Sequence, residues 1–483
     1  MTGMRFPTHS LAAAALALLV AFAPPARANF LTYVQTLKPG DGGVTGIASS
    51  YGAAVSPDGK HVYIAGSGDD AVVTFGRDPA SGALTWLGVQ QNGVNGVEGL
   101  EGPNEVLVSP DGRHVYVAAF GGDAVAVFAR DTATGYLTYV QHQKRGVGGI
   151  QGLGSPFGLA ISPDGAYLYA VGSDSFSVTV FARDTSTGAL ALVEEKFEGL
   201  DGVAGMQRPQ RIAVSPDGAH VYVAGGTSNS VVVFSRDAAT GSLTFVEKQQ
   251  DGVNGVAGLY IASAVAVSGD GKHVYACGFG NAVVVFARNA ATGALTWVES
   301  EHEGVGGVTG IAFCGSLALS PDGQHVYAIG SIDKALAVFD RDPATGALTF
   351  VEADVRAPEL FPVNTVAESP DGVNLYATAG DAVTVFSPDR GARDDDQHVH
   401  DHLHVGNHHR AVCLHVHDEP EQQHDLDDTT RLWSLATGGV QAGARLTASA
   451  PCRENGRHEP ARLVLEQGQR DHARRLRRSA DRH

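Results

Sequence analysis

Two charged residues are the first candidates for chemistry. Glu105 and Arg211 each lie four residues before the serine of an SPDG turn. No other copy of that turn carries a charge at that position or the one before it. A carboxylate and a guanidinium sharing a cleft can bind a polar ligand or support acid–base chemistry. They can equally pair with each other and narrow the opening they share. Tyr51, Asn104, Phe157, Gln210 and Asn364 stand beside them in the same two columns of the repeat, and complete the candidate ligand-binding set. Arg208, His142, Lys144 and Arg145 follow as a second tier of positive groups.

Other reactive residue types read as scaffold. His61, His114, His220, His273 and His325 all follow an SPDG-type turn at one repeat position. A catalytic base is normally singular, so a histidine copied five times is a building device. The pairs Arg77-Asp78, Arg130-Asp131, Arg183-Asp184, Arg236-Asp237 and Arg341-Asp342 fall to the same argument. The chain shows no nucleophile elbow, HExxH helix or CxxC pair, and its Asp-Gly steps lack the alternating acids of a calcium loop. No metal site or cofactor is expected. Cys277 and Cys314 fall near one face of adjacent repeats, where an oxidising compartment would let them bridge.

The elements that must hold these residues come from an internal repeat. SPDG-type turns begin at Ser56, Ser109, Ser162, Ser215, Ser268, Ser320 and Ser369, at intervals of 53, 53, 53, 53, 52 and 49 residues. A period of this size marks a propeller or solenoid. Each copy holds short alternating runs of strong β-formers, such as Val221-Tyr222-Val223, Val231 to Phe234 and Leu243 to Val246, separated by turn residues. In SPDG the proline presets φ, the aspartate can bond its own backbone and the glycine tolerates positive φ. The chain begins with the last strand of a unit, Leu31 to Val34, and the repeats stop after Phe386, before that strand recurs. A closed ring explains this offset, because the N-terminal strand (31–34) then completes the last unit and leaves no open sheet edge. The expected architecture is an all-β, seven-bladed β-propeller over residues 29–389, with four antiparallel strands per blade. Its SPDG and DxATG turns form a constant face. Its Gly-rich blade connections form a variable face, and the valines of their GVxGVxGL pattern are expected to pin each connection to the sheet.

Residues 1–28 read as a signal peptide. Arg5 is the positive end, Leu11 to Ala23 the apolar stretch, and Ala26-Arg27-Ala28 the cleavage motif, which places the mature protein in the periplasm or outside the cell. Residues 29–389 carry 18 basic against 37 acidic side chains, a net charge of −19. Such a body disfavours nucleic acid and anionic membrane as partners. No membrane insertion is expected, and the propeller is taken as a monomer.

The phrases SPDGxHVYV and VxVFxRDxATGxLTFV, repeated seven times in order over residues 31–389, resemble the YVTN-type β-propeller repeats. They also resemble the lactonase-like seven-bladed propellers of the 6-phosphogluconolactonase type. That resemblance implies the fold, and with it hydrolysis of a lactone. Members of the family carry an H-P-H element before one innermost strand and P-R-H before another. Here the counterparts are Ser155-Pro156-Phe157 and Pro209-Gln210-Arg211, with the prolines kept and the histidines absent. Glu105 and Arg211 are then the residues left to polarise a carbonyl or act as a base.

After Phe386 the composition changes. Residues 390–483 hold 12 of the 20 histidines and no lysine. A His-rich tract such as 398–409 can capture metal. A shifted reading frame accounts better for the whole tail. Coded as GAC GAC GAC CAG CAC GTC CAC GAC, Asp394 to Asp401 reads one base later as a Thr/Ser run, the composition of an ordinary linker. A frameshift near residues 388–394 and a disordered, low-complexity His/Arg/Asp-rich tail are the expectations. The sequence thus points to an exported propeller that binds a protein or small polar ligand through its variable face. The alternative is a lactone hydrolase acting at the mouth of the channel.

Overall fold

Alternating apolar residues become strands wherever the repeat supplies a turn to fold them back. The computed structural model describes residues 30–355 and 363–389, plus five strand fragments of two or three residues between 412 and 464. The chain divides into two units, Met1–Arg390 and Gly391–His483. The described residues of the second unit form the short pairings of Val412–Cys413 and Thr447–Ala448 with Arg462–Val464, and of Arg453–Glu454 with Arg457–His458. The expected signal peptide and the expected disorder of the tail lie outside the described residues.

The first unit is a seven-bladed propeller. Blade 2 is typical: strands Pro103–Val108, His114–Ala119, Ala124–Arg130 and Leu137–Lys144 pair antiparallel in chain order. Blade 7 runs Val363–Glu368, Leu375–Ala379 and Ala382–Pro388, and its outermost strand is the N-terminal Leu31–Leu37. Thr32 pairs with Ser387 and Leu37 with Val383, so the start of the chain closes the ring. Among the described residues of this unit, the only helical segments are two three-residue 3-10 turns.

The SPDG turn works through its side chains. In blade 2 the Ser109 hydroxyl donates to Asp111 and accepts from the His114 amide, while Gly112 takes φ 69°, a conformation that favours glycine. The core lies between blades. Tyr63 and Val72 of blade 1 pack with Val97, Leu100, Val106, Val115 and Phe128 of blade 2. Only part of the valine expectation holds. In the connection after blade 1, Val97 and Leu100 are buried, whereas Val94 is exposed at the loop tip. Leu200, Val253 and Val305 repeat the exposed position.

The repeated arginines do not pair with the aspartate beside them. Arg130 crosses to the preceding blade, where its Nε donates to the Tyr63 hydroxyl at 2.7 Å and its Nη2 to Asp58 at 3.0 Å and His61 Nδ1 at 2.7 Å. Its Nη1 holds the carbonyl of Gly112 in its own blade. Arg77, Arg183, Arg236, Arg288 and Arg341 make the corresponding inter-blade latches. The neighbouring Asp131 instead accepts from the Ala133 and Thr134 amides and closes its hairpin turn. Because the arginine donates, His61 Nδ1 must accept, which requires a neutral imidazole with its proton on Nε2.

These latches give the ring an acid limit. Burial, and then the facing arginine, hold His61, His114, His220 and His273 below the ordinary imidazole range. Burial acts against the charge of Asp111, Asp217 and Asp270. Bonds from the turn serine, the turn backbone and the latch arginine outweigh it and bring each down to about 2. Both groups bind protons more readily in the unfolded chain. The histidine contribution is therefore complete above an unfolded pKa of about 6.5 and is lost as pH falls through that value. The aspartate contribution is complete above about 3.9 and is lost toward 2. The urea midpoint should stay level from pH 8 to 7, decline below about 6.5 and fall again below about 4. A midpoint that rises between pH 7 and 5 would contradict neutral latch histidines.

Candidate functional site

The innermost strands carry the candidate residues to the axis. Arg211 lies in blade 4 on Pro209–Val214, and Glu105 lies in blade 2 on Pro103–Val108. Arg211 Nη1 is 2.6 Å from Glu105 Oε2, and the same nitrogen donates to the carbonyl of Phe157 in blade 3 at 3.0 Å. Nη2 donates to the Thr365 hydroxyl of blade 7 at 3.2 Å. Blades 4 and 7 stand across the ring from each other, so this side chain spans the central channel. Its guanidinium also lies 5.2 Å from the centre of the Phe157 ring. The ion pair is only slightly open, with side-chain exposures of 13% for Arg211 and 16% for Glu105. Burial pushes the Glu105 carboxyl above its ordinary range, and Arg211 opposes part of that rise.

Close approach of the strands makes the pair possible. Glycine occupies the matching position in the blade before each charge: Gly52 before Glu105 and Gly158 before Arg211. A Cβ on Gly158 would stand 2.5 Å from the carbonyl oxygen of Gln210, and one on Gly52 would stand 2.8 Å from Glu105 Cα. Neither position has room for a side chain.

The other candidates divide. Asn104 is buried and its amide faces the Phe157 carbonyl at 3.4 Å, so it ties blade 2 to blade 3 rather than facing a ligand. Asn364 donates to the Ser50 carbonyl at 2.7 Å and ties blade 7 to blade 1. Tyr51 is half-buried, and its carbonyl accepts the Thr378 hydroxyl. Gln210 is half-buried next to Arg211. Among the described residues, no hydrogen bond joins the Tyr51 or Gln210 side chain to the ion pair. Phe157 does belong to the site, and Phe120 meets its ring edge-on at 6.0 Å. Phe120 sits on a turn outside the two columns of the candidate set. Its sequence signal is an aromatic where blades 1 and 3 place Ser67 and Ser173, a substitution that blade 5 repeats as Phe279.

Cys277 and Cys314 form a disulfide, with Cα atoms 5.8 Å apart, between the second strand of blade 5 and the innermost strand of blade 6. The described residues contain no group of three or more His, Cys, Asp or Glu placed to hold a metal ion, and no helix long and apolar enough to cross a membrane.

The family described as lactonase, 7-bladed beta-propeller, matches residues 87–204 and 209–365. The chain belongs to this family. A 6-phosphogluconolactonase of Klebsiella pneumoniae (strain 342) is 25% identical to this lactonase-family chain over 234 residues, 41% of the chain and 69% of that protein. One from Formosa agariphila is 38% identical over 87 residues, 18% of this chain and 23% of that relative. Among solved structures, the periplasmic gluconolactonase PpgL of Pseudomonas aeruginosa aligns at a TM-score of 0.51 and 24% identity, covering 68% of this chain and 88% of that one. The hydrazine synthase of Kuenenia stuttgartiensis aligns at 0.52 and 19%, covering 71% and 96%. Proteins named for such different reactions share this ring, so the activity of this member must be argued from its own site.

Proposed function

We propose that this lactonase-family propeller is an exported protein that binds a small polar ligand on its variable face at the channel mouth. Arg211 is the group that organises this mouth. The observation that carries this reading is the convergence of side chains from blades 2, 3 and 7 on the blade 4 guanidinium at the axis. The repeat is otherwise free of charge at those positions. Export rests on the leader-like residues 1–28 and on the buried Cys277–Cys314 bond, which suits an oxidising compartment.

Lactone hydrolysis is the second reading, favoured by the family and by a carboxyl that burial holds above its ordinary range beside a cation. Against it stands the engagement of both groups. Arg211 already donates to three partners, and no histidine occupies the motif positions.

One experiment separates the two. The purified protein is titrated calorimetrically with a panel of small carboxylic acids and assayed against sugar and aryl lactones. Binding without turnover, weakened about tenfold by Arg211→Ala, is the expected result. Turnover abolished by Glu105→Ala would reverse the order of the two readings.

A further inference from the structure

The arginines of residues 29–389 are distributed unevenly in role. There are eleven. Six are the latches described above, Arg113 lies on an SPDG turn of the constant face, and Arg356 lies outside the described residues. Arg145, Arg208 and Arg211 all reach the start of blade 3. The Arg145 guanidinium lies so close to Gly154 that a Cβ there would be 3.0 Å from its Nη1. Among the described residues, Arg145 makes no ion pair. Arg208 is more than half exposed, at 58% of its side chain, and donates to Asp174, whose amide in turn bonds the Gly154 carbonyl. Arg211 lies against Phe157, three residues further on. In a body of net charge −19, three guanidiniums gather in this one sector: Arg211 is paired with Glu105, Arg208 with the exposed Asp174, and Arg145 adds a positive charge that no described carboxylate pairs.

Aromatic rings break the repeat in the same sector. At the third-strand turn, Asp70, Asp123, Asn229 and Asn281 each accept the backbone amide at the start of the next blade. In blade 3 that cap is replaced by Phe176, which is 37% exposed. Phe120, 40% exposed, covers the edge of Phe157 from blade 2. Asn104 is already committed to the Phe157 carbonyl, and the Ser155 hydroxyl to Asp174. A flat apolar body can lie on these rings while a carboxylate meets the forked donors of Arg145 and Arg208.

We propose that the blade 2–4 sector of the variable face is a binding site for a small aromatic carboxylate, with Phe120 and Phe157 holding the arene and Arg145 and Arg208 the carboxylate. This rests on the reading that the channel mouth is a ligand site, and names the class of ligand. The test titrates the purified full chain with trans-cinnamate, cyclohexanecarboxylate and gluconate by calorimetry.

Cinnamate should bind saturably and more tightly than the other two. Arg145→Ala, Arg208→Ala and Phe120→Ala should each weaken it about tenfold, and added salt should weaken it further. Phe279→Ala removes an aromatic from the blade 5–6 side, where Phe279 stacks on Phe313, and should change nothing. Cinnamate binding that survives both arginine variants would overturn the proposal, as would its absence. Gluconate binding lost in Arg211→Ala, with no cinnamate binding, would overturn the aromatic class and leave the mouth as a ligand site. No binding by any of the three would count against both.

Discussion

Arg183→Ala is expected to lower the free energy of unfolding by about 3 kcal/mol, the low end of the cost of removing one partner of a buried charge pair. The Arg183 side chain is about 1% exposed, and it serves four acceptors in one plane: Tyr116, Asp111, His114 and Gly165. Removing it strands the His114 Nδ1 lone pair in the blade interface and leaves Asp111 without its cation. Asp111 is about one-third exposed, at 32% of its side chain, so water recovers part of that loss. Arg183→Lys keeps the charge but cannot reproduce the fork, and should still lose about 2 kcal/mol. Arg113→Ala, an exposed arginine on the same constant face, should stay within about 0.5 kcal/mol of the parent. Urea unfolding followed by tryptophan fluorescence reads all three. Equal midpoints for Arg183→Ala and Arg113→Ala would show that the latches are not what joins the blades.

The latches also show where sequence reasoning stops. Blade number, strand order and ring closure follow from the repeat alone, because seven copies of a turn and an offset start admit one closed arrangement. The partner of each latch arginine does not follow. It lies in the preceding blade, while the aspartate adjacent in sequence bonds its own turn. Arg288 escapes the Arg-Asp pattern altogether because Asn289 follows it, yet it makes the same bonds to Tyr222 and Asp217.

The site behaves in the same way. A 53-residue alignment shows that Glu105 and Arg211 occupy one level and that both break the repeat. It gives no distance across the axis, so the meeting of Arg211 with Thr365 was not legible. Nor was the burial of Asn104, whose residue type alone reads as a ligand contact. The two glycines carried a usable signal: a residue without a side chain, one blade before each charge, is where neighbouring strands can come together.

Removing the disulfide should be the other large effect. Cys277→Ala, Cys314→Ala and the double variant should each lose about 4 kcal/mol, the loop-entropy value for a bond closing 37 residues. Both cysteines are fully buried, in the apolar cluster of Val283, Val308, Ile311 and Phe339 between blades 5 and 6. Because one bond is lost in all three variants, the double variant should cost little more than either single one. Unfolding with reductant present should bring the parent down to the double variant and leave the double variant unchanged. A parent indifferent to reductant, or two free thiols by mass spectrometry, would remove the bond from the account. The same variants separate scaffold from site. The bond also anchors the innermost strand of blade 6, whose Cys314 carbonyl accepts the Ser263 hydroxyl of blade 5, outside the blade 2–4 sector. Ligand affinity at blades 2–4 should therefore persist in the double variant below its unfolding midpoint. If affinity falls along with stability, the mouth is set by the whole ring under tension, rather than by the few side chains that meet at Arg211.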